Sequence, residues 1–175
     1  MIKALRLTSL VATVAALAVT ATEAAAAPVT ATSNATARAR VVRPLTLTST
    51  QNLDLGIIVL SGAGAYSATV GVDRAGTFNC DSNSGNVTCS GSPQRAMYNV
   101  QGTNGQMVTI ASGPVTLNGS NGGSLTLTPD HAPTVTLTNS GSPGFTFGVG
   151  GSITVANTTT DGLYTGTFAL TADYQ

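Results

Sequence analysis

The chain has 175 residues, of which only 8% are charged, and a formal net charge of zero. Lys3, Arg6 and Glu23 are the charged residues of its first 26 positions, so residues 27–175 contain five arginines, six aspartates and no lysine or glutamate. This balance argues against a nucleic-acid binder, which needs many cations to neutralise phosphates. The length suffices for one domain with a hydrophobic core.

The first 26 residues have the layout of a secretory signal peptide. A basic start at Lys3 and Arg6 precedes an apolar run over residues 10–19 and an alanine-rich end. An apolar run of about ten residues is half of the roughly 20 needed to cross a bilayer, which favours cleavage over a membrane anchor. We therefore predict that residues 1–26 are removed on export through the inner membrane and that no integral membrane span remains.

Residues 29–41 alternate between small apolar and polar side chains, the two-residue period of an extended strand. Thirteen residues at about 3.3 Å each span roughly 43 Å, which is longer than one ordinary strand. The segment therefore predicts two strands in series, a free extension and then the first strand of a domain. Arg38, Arg40 and Arg43 form a small basic cluster that we interpret as a solvated face.

Short alternating runs separated by turn signals fill the rest of the chain, and no window shows the helical period of 3.6 residues. Twelve such runs lie at residues 45–48, 53–60, 66–73, 76–80, 86–90, 96–102, 107–111, 114–119, 124–129, 134–139, 145–155 and 162–175. They predict an all-β fold with an N-terminal extension over residues 27–37 and one β-sandwich domain over residues 38–175.

The final run, GLYTGTFALTADYQ, alternates so regularly that it predicts a single half-buried strand over residues 162–175. One face would carry Tyr164, Gly166, Phe168, Leu170, Ala172 and Tyr174. Because so apolar a strand needs neighbours on both sides, a sheet that ends on it leaves an edge or a gap.

Cys80 and Cys89 are the only cysteines. An oxidising compartment and the turn-forming DSNSGN between them predict a disulfide across a hairpin. The alternative of a redox enzyme lacks the close C-x-x-C spacing. Asp81 begins a stretch that echoes a calcium loop, but Ser92 stands where the twelfth-position glutamate belongs, so we predict a plain turn.

No motif predicts catalysis. His131 is the only histidine and lies between Pro129 and Pro133, where a rigid loop is expected. No G-x-S-x-G nucleophile elbow accompanies it, and one histidine without other soft ligands does not form a zinc site. The glycine-rich FGVGGS lacks the helix that a phosphate-binding loop opens. We predict no enzyme activity, no cofactor and no metal.

A β-rich body lies between two distinctive stretches, RVVRPLTLTSTQNLDLGIIVLSG and the closing GLYTGTFALTADYQ. Together they resemble the bacterial domain-of-unknown-function 4402 family, and through it spore-coat-U-like proteins and chaperone-usher pilins. The motifs are a Leu-x-Leu-Gly step ending at Gly56 and a Gly-x-Tyr-x-Gly-x-Phe pattern from Gly162 to Phe168. Pilins of that export route typically have a penultimate tyrosine and a glycine fourteenth from the end, the places that Tyr174 and Gly162 hold here.

The resemblance implies an immunoglobulin-like antiparallel sandwich of pilin type that lacks its final strand. A periplasmic chaperone would fill the open groove first, and after an outer-membrane usher the extension of another subunit would fill it by β-augmentation. The donor residues would be Val29, Ala31, Ser33, Ala35 and Ala37. The acceptor strand would contain Gly162, Tyr164, Phe168, Leu170 and Tyr174.

These observations predict a non-enzymatic structural subunit of a Gram-negative surface fibre or coat involved in cell adhesion. It would pass through the periplasm to the cell surface or an extracellular fibre and polymerise head to tail with itself. Two alternatives stay open: a stand-alone secreted or periplasmic binding module, for example for carbohydrate, and a small outer-membrane barrel. A barrel needs strands of about nine to eleven residues, and most runs here are shorter.

Overall fold

The structure, a computed structural model, describes residues 27–175 and confirms the all-β prediction. The strands are β1 (Thr46–Gln51), β2 (Ile57–Leu60), β3 (Ser67–Val72), β4 (Phe78–Cys80), β5 (Val87–Ser90), β6 (Ala96–Gln101), β7 (Met107–Ala111), β8 (Val115–Gly119), β9 (Ser124–Asp130), β10 (Thr134–Thr136), β11 (Phe145–Ala156), β12 (Tyr164–Thr165) and β13 (Thr171–Tyr174). One 3-10 turn, Asn83–Gly85, joins β4 to β5. Within the described residues, no helix has the length and apolarity that a membrane crossing requires. The predicted signal peptide lies outside them.

The strands form three sheets whose ladders are all antiparallel. The largest has eight strands, with β1-β6-β11-β9-β8-β12 in order and β3 pairing with both β11 and β4. The others are β10-β7-β13 and β2-β5. β11 has twelve residues and pairs with β6 along its first part and with β3 along its last part. It therefore runs the length of the large sheet.

Alternation along the strands buries two groups of side chains. The first core cluster contains Ala96, Val100, Val108, Ile110, Val135, Leu137, Phe147 and Val149. The second core cluster contains Ala68, Val70, Val87, Leu127, Ile153 and Val155. Residues of β7, β10 and β13 contribute to the first cluster, and residues of β2 and β5 contribute to the second. Each smaller sheet thus packs on its own part of the large sheet.

Residues 27–39 belong to a separate unit from Arg40–Gln175. They contain no strand and all are exposed, Val29 to 95%. The expected first domain strand within residues 38–41 is wrong, since the first strand begins at Thr46. Alternation shows that a segment can be extended, but it becomes a strand only where a ladder partner is present.

The single strand expected over residues 162–175 is also wrong. β12 covers two residues and pairs with β8, β13 covers four and pairs with β7 in another sheet, and residues 166–170 belong to neither. The alternation of the sequence persists through the interruption, but the chain changes its pairing partner there.

The predicted disulfide between Cys80 and Cys89 is confirmed, with their Cα atoms 6.2 Å apart. It joins β4 of the large sheet to β5 of the two-stranded sheet. The predicted turn lies between them, where the Asp81 carboxylate accepts a hydrogen bond from the Asn83 backbone N–H at 3.0 Å. The bridge therefore fastens β5, and through its ladder β2, to the rest of the domain.

Candidate functional site

An open groove of about 1260 Å³ crosses the second core cluster. Two segments form its lips, residues 53–60 on one side and residues 161–168 on the other. Its floor consists of aliphatic side chains from β8, β9 and β11, namely Leu117, Leu125, Leu127, Ile153 and Val155. Leu117 and Leu125 are only half-buried. Leu127, Ile153 and Val155 are buried, so the side chains that the groove leaves partly open to solvent are those that pack against the edge of the cluster.

The first lip is built around β2. Ile58 and Leu60 pack on the second core cluster, while Ile57 and Val59 are 62% and 48% exposed. β2 pairs with β5 along one edge, and within residues 27–175 its other edge has no strand partner. This lip presents unpaired backbone N–H and C=O groups beside an apolar floor.

A tight turn sets the start of this lip. Gly56 has a φ of +75°, and its backbone N–H donates to the Asp54 carboxylate at 2.8 Å. A Cβ at Gly56 would collide with the Ser90 carbonyl oxygen. Only glycine fits both the left-handed conformation and the close approach of β5. The Leu-x-Leu-Gly step thus ends in a turn, and residues 53–56 are not part of β2.

The second lip has even less strand pairing. β12 pairs with β8 through Tyr164 with Gly119 and Thr165 with Asn118. In the part of the chain that the structure describes, the opposite edge of β12 is unpaired and residues 166–170 join no strand. Leu163 on this lip is 71% exposed. Both lips therefore offer a free strand edge to the same groove.

Aromatic side chains close one end of the groove. The Tyr98 ring stacks near Phe147, with centroids 6.1 Å apart, and tilts toward Phe168 at 6.2 Å. Burial raises the pKa of Tyr98, and a hydrogen bond to Ser49 opposes this shift. The phenol is therefore neutral at physiological pH, so this end of the groove carries no charge from Tyr98.

The structure divides the five predicted acceptor residues into two groups. Gly162, Tyr164 and Phe168 line the groove. Leu170 and Tyr174 do not line it and pack against the first core cluster, which Phe168 also contacts. The Tyr174 hydroxyl donates to the Arg43 carbonyl oxygen at 2.7 Å and accepts from the Thr103 N–H at 2.8 Å. The predicted donor residues lie in the exposed segment 27–39, which forms no strand.

Sequence reasoning missed the first lip and the floor. Residues 53–60 were predicted as an ordinary strand, with no sign that one edge would be free. The unbroken apolar run IIVL was a usable signal, because a strand with one solvent-exposed face alternates between apolar and polar residues. The exposure of Ile57 and Val59 shows that this run is apolar on both faces because it borders the groove.

The groups considered for catalysis do not form a constellation in the described residues. His131 Nδ1 lies 3.0 Å from the Ala132 carbonyl oxygen. Within residues 27–175 no cluster of three or more histidine, cysteine, aspartate or glutamate side chains could hold a metal ion. The observed chemistry of the groove is apolar packing and backbone hydrogen bonding.

The comparison with known proteins identifies a family but no individual relative. Residues 45–174 match the family described as a domain of unknown function (DUF4402). No curated protein and no solved structure matches the chain. The matched residues include both lips and the floor of the groove. The match confirms the family predicted from the sequence. The relationship to spore-coat-U-like proteins and pilins stays a prediction. Because the match covers most of its residues, the chain belongs to the DUF4402 family.

Proposed function

We propose that this protein is a non-enzymatic structural subunit of a bacterial surface fibre whose subunits join by donating a β-strand to one another. The observation that carries the proposal is the groove, an apolar floor between two lips whose strand edges are unpaired within residues 27–175. A strand inserted there would bond to both lips and cover the floor, which is β-augmentation. The fold would then be a pilin-type, immunoglobulin-like sandwich that lacks one strand.

The N-terminal extension has the length that this insertion needs. The lip over residues 53–60 is at most about 26 Å long, and the extension over residues 27–37 reaches about 36 Å when fully extended. An extended segment of that length can follow the whole lip and still leave residues at each end to connect to its own domain.

The composition of the extension determines which interactions would hold it. One face places Val29, Ala31, Ser33, Ala35 and Ala37 toward the floor. Burying an alanine methyl contributes less than about 1 kcal/mol at roughly 25 cal/mol per Å². Backbone hydrogen bonds to the two lips therefore supply most of the stabilisation, and the side chains mainly have to be small and uncharged.

The direction of the strands defines two ends of the domain. β11 begins beside β6, where Phe145 pairs with Val100, which also pairs with Leu47 of β1. It ends at Ala156, whose carbonyl oxygen accepts from the Thr159 N–H at 2.9 Å, and Thr159 lines the groove. We call these ends of the domain the β1 end and the groove mouth, about 40 Å apart along a twelve-residue strand.

The extension joins the domain at the β1 end, since Arg43 contacts Tyr174 and Thr103 there. Up to Arg43, residues 27–42 reach about 53 Å when extended, of which a run back along β1 would take about 20 Å, so the length suits either the chain's own groove or that of a second copy. A second copy is the recipient in this proposal because residues 27–39 form a separate unit that is fully exposed and contains no strand in the described structure. Head-to-tail donation of this kind does not close on itself and builds a filament.

Export to the periplasm and then to the cell surface belongs to the same proposal. The Cys80–Cys89 disulfide is consistent with an oxidising compartment. A subunit with an open apolar groove also needs protection before assembly, the part assigned to a periplasmic chaperone and an outer-membrane usher by resemblance to pilins.

The test compares two neighbouring substitutions in the extension. Protein beginning at Ala27 is expected to polymerise, and Ala35→Asp should abolish polymerisation because it forces a charge onto the apolar floor. Asn34→Asp is the matched control, since it places the same charge on the opposite, solvent-facing side of the strand. Light scattering and electron microscopy measure polymerisation, and circular dichroism measures folding.

Deletion of residues 27–37 should leave a folded monomer. Strand donation is the wrong mechanism if Ala35→Asp polymerises like the unaltered protein. It is equally wrong if the deletion unfolds the domain, because the segment would then complete its own sheet. A self-contained binding module would replace the proposal in either case.

A further inference from the structure

Positive charge is concentrated at the β1 end of the domain. Three of the five arginines in residues 27–175 are Arg38, Arg40 and Arg43. Arg40 Nη1 donates to the Gln106 side-chain oxygen at 2.9 Å, and the Arg43 backbone N–H donates to the Thr103 hydroxyl at 2.7 Å. These bonds hold the start of the domain in place while the arginines remain exposed.

The groove mouth carries the opposite charge. Asp161 lines the mouth and is exposed, and one of its carboxylate oxygens accepts from the Asn121 amide at 3.2 Å. Asp81 lies toward the same end, since its backbone N–H donates to Thr69, which pairs with Thr154 near the end of β11.

The two remaining arginines lie in the middle of the domain. Arg74 lies 3.6 Å from the Asp130 carboxylate, and Asp130 pairs with Gly150 halfway along β11. Arg95 Nη1 donates to the Arg74 carbonyl oxygen at 3.0 Å. Within the described residues the mouth therefore has aspartates and no arginine. One aspartate, Asp173 of β13, lies close to the β1 end, where the arginines outnumber it, so the domain has a charge polarity along its length.

We propose that this polarity docks one copy of the protein on the next, with Arg38, Arg40 and Arg43 of the donor meeting Asp161 at the groove mouth of the acceptor. The inference rests on the proposed strand donation. When residues 27–37 lie in the groove with residue 37 at the mouth, the next residues of the donor emerge there, and the first of them is Arg38.

The physical role of such a contact follows from its exposure. Ion pairs in water add little to the strength of a finished complex. Opposite charges on two surfaces instead steer the encounter and set its orientation, an effect that salt screens. The arginines should therefore speed the joining of subunits and select the head-to-tail direction, and the backbone ladder should hold the fibre together.

The experiment measures polymerisation rates of protein beginning at Ala27 at low salt and at about 1 M NaCl, where the screening length falls to about 3 Å. Asp161→Arg should slow assembly about tenfold or more at low salt, and high salt should remove the difference. Asp161→Asn should slow it less, because it removes the charge but keeps a side chain that can bond to Asn121. Combining Asp161→Arg with Arg38→Asp should restore part of the rate.

Asp173→Arg is the matched control. Asp173 is an exposed aspartate of β13, close to the β1 end, and the substitution changes the net charge by the same amount. It should leave the rate unchanged or raise it, since it adds positive charge to the donor face.

The outcomes separate this inference from strand donation itself. If Ala35→Asp blocks assembly but Asp161→Arg and Asp173→Arg act alike at low salt, charge docking is overturned and strand donation stands. If Ala35→Asp assembles normally, both are overturned. The inference is supported if the Asp161→Arg variant polymerises slowly at low salt and if both high salt and the added Arg38→Asp substitution restore its rate.

Discussion

The two core clusters differ in how they are covered. Around the first, β13 pairs with β7, and Ile110 and Val108 are at most 2% exposed. Around the second, the lips face each other across an open groove whose floor includes the half-buried Leu125. Both clusters are built from the same kind of alternating aliphatic strand. The second cluster therefore has the less complete cover, and that difference can be measured.

The largest effect should come from the closed cluster. Ile110→Ala should lower the free energy of unfolding by about 2–5 kcal/mol, because it leaves a cavity among fully packed neighbours. Leu125→Ala on the groove floor should cost the monomer only about 1 kcal/mol, since part of that side chain is already in water. Urea denaturation of monomers blocked by Ala35→Asp gives both values. Equal losses of unfolding free energy in the two variants would show that the groove floor is covered in the monomer and that the two clusters do not differ in their cover.

Removal of the disulfide should act most strongly on the open cluster. The bridge closes a short loop, with a sequence separation of nine, so replacing both cysteines by alanine should cost about 2–3 kcal/mol of global stability. Because the bridge fastens β5, and β5 holds β2, the loss should also loosen the first lip. Hydrogen exchange should then quicken more at β2 amides than at β13 amides. Uniform quickening in both strands would contradict this local role.

The smallest contrast concerns two tyrosines of the terminal stretch. Tyr174→Phe should cost about 1 kcal/mol, because it leaves the Arg43 carbonyl and the Thr103 N–H without their shared partner. Tyr164→Phe removes one exposed hydrogen bond, to the Thr160 carbonyl oxygen at 2.7 Å, and water can replace it. Thermal unfolding of the two variants checks the order. A larger loss for Tyr164→Phe would mean that its lip is better fixed than the pairing pattern indicates.

Local periodicity predicted most of the strands. The predicted bounds of the runs that contain β3, β9 and β11 agree closely with the observed bounds of these strands. Alternation and turn residues are properties of a few neighbouring positions, so they can be recognised in the sequence alone. The disulfide was predictable for the same reason, since Cys80 and Cys89 flank a single turn.

Pairing partners were not predictable in the same way. Phe168 and Leu170 continue one alternating pattern and both pack on the first core cluster, yet only Phe168 also packs on the second cluster and lines the groove. Which sheet a strand joins depends on residues far along the chain, so the interruption over residues 166–170 has no local signature. The extension posed the reverse problem, since it alternates but has no ladder in the described structure.

The position of β1 also has a mechanical consequence. In a fibre, a pull between subunits would enter each domain at Arg40 and continue along the axis of β1. The ladder joining β1 to β6, from Thr46 with Gln101 to Gln51 with Met97, has hydrogen bonds perpendicular to that axis. Tension therefore loads these bonds in shear, so they must stretch together instead of opening one after another. In such a fibre the resistance to pulling would be set by the ladder at the start of the domain, and the contacts of Tyr174 with Arg43 and Thr103 would clamp the chain just before β1.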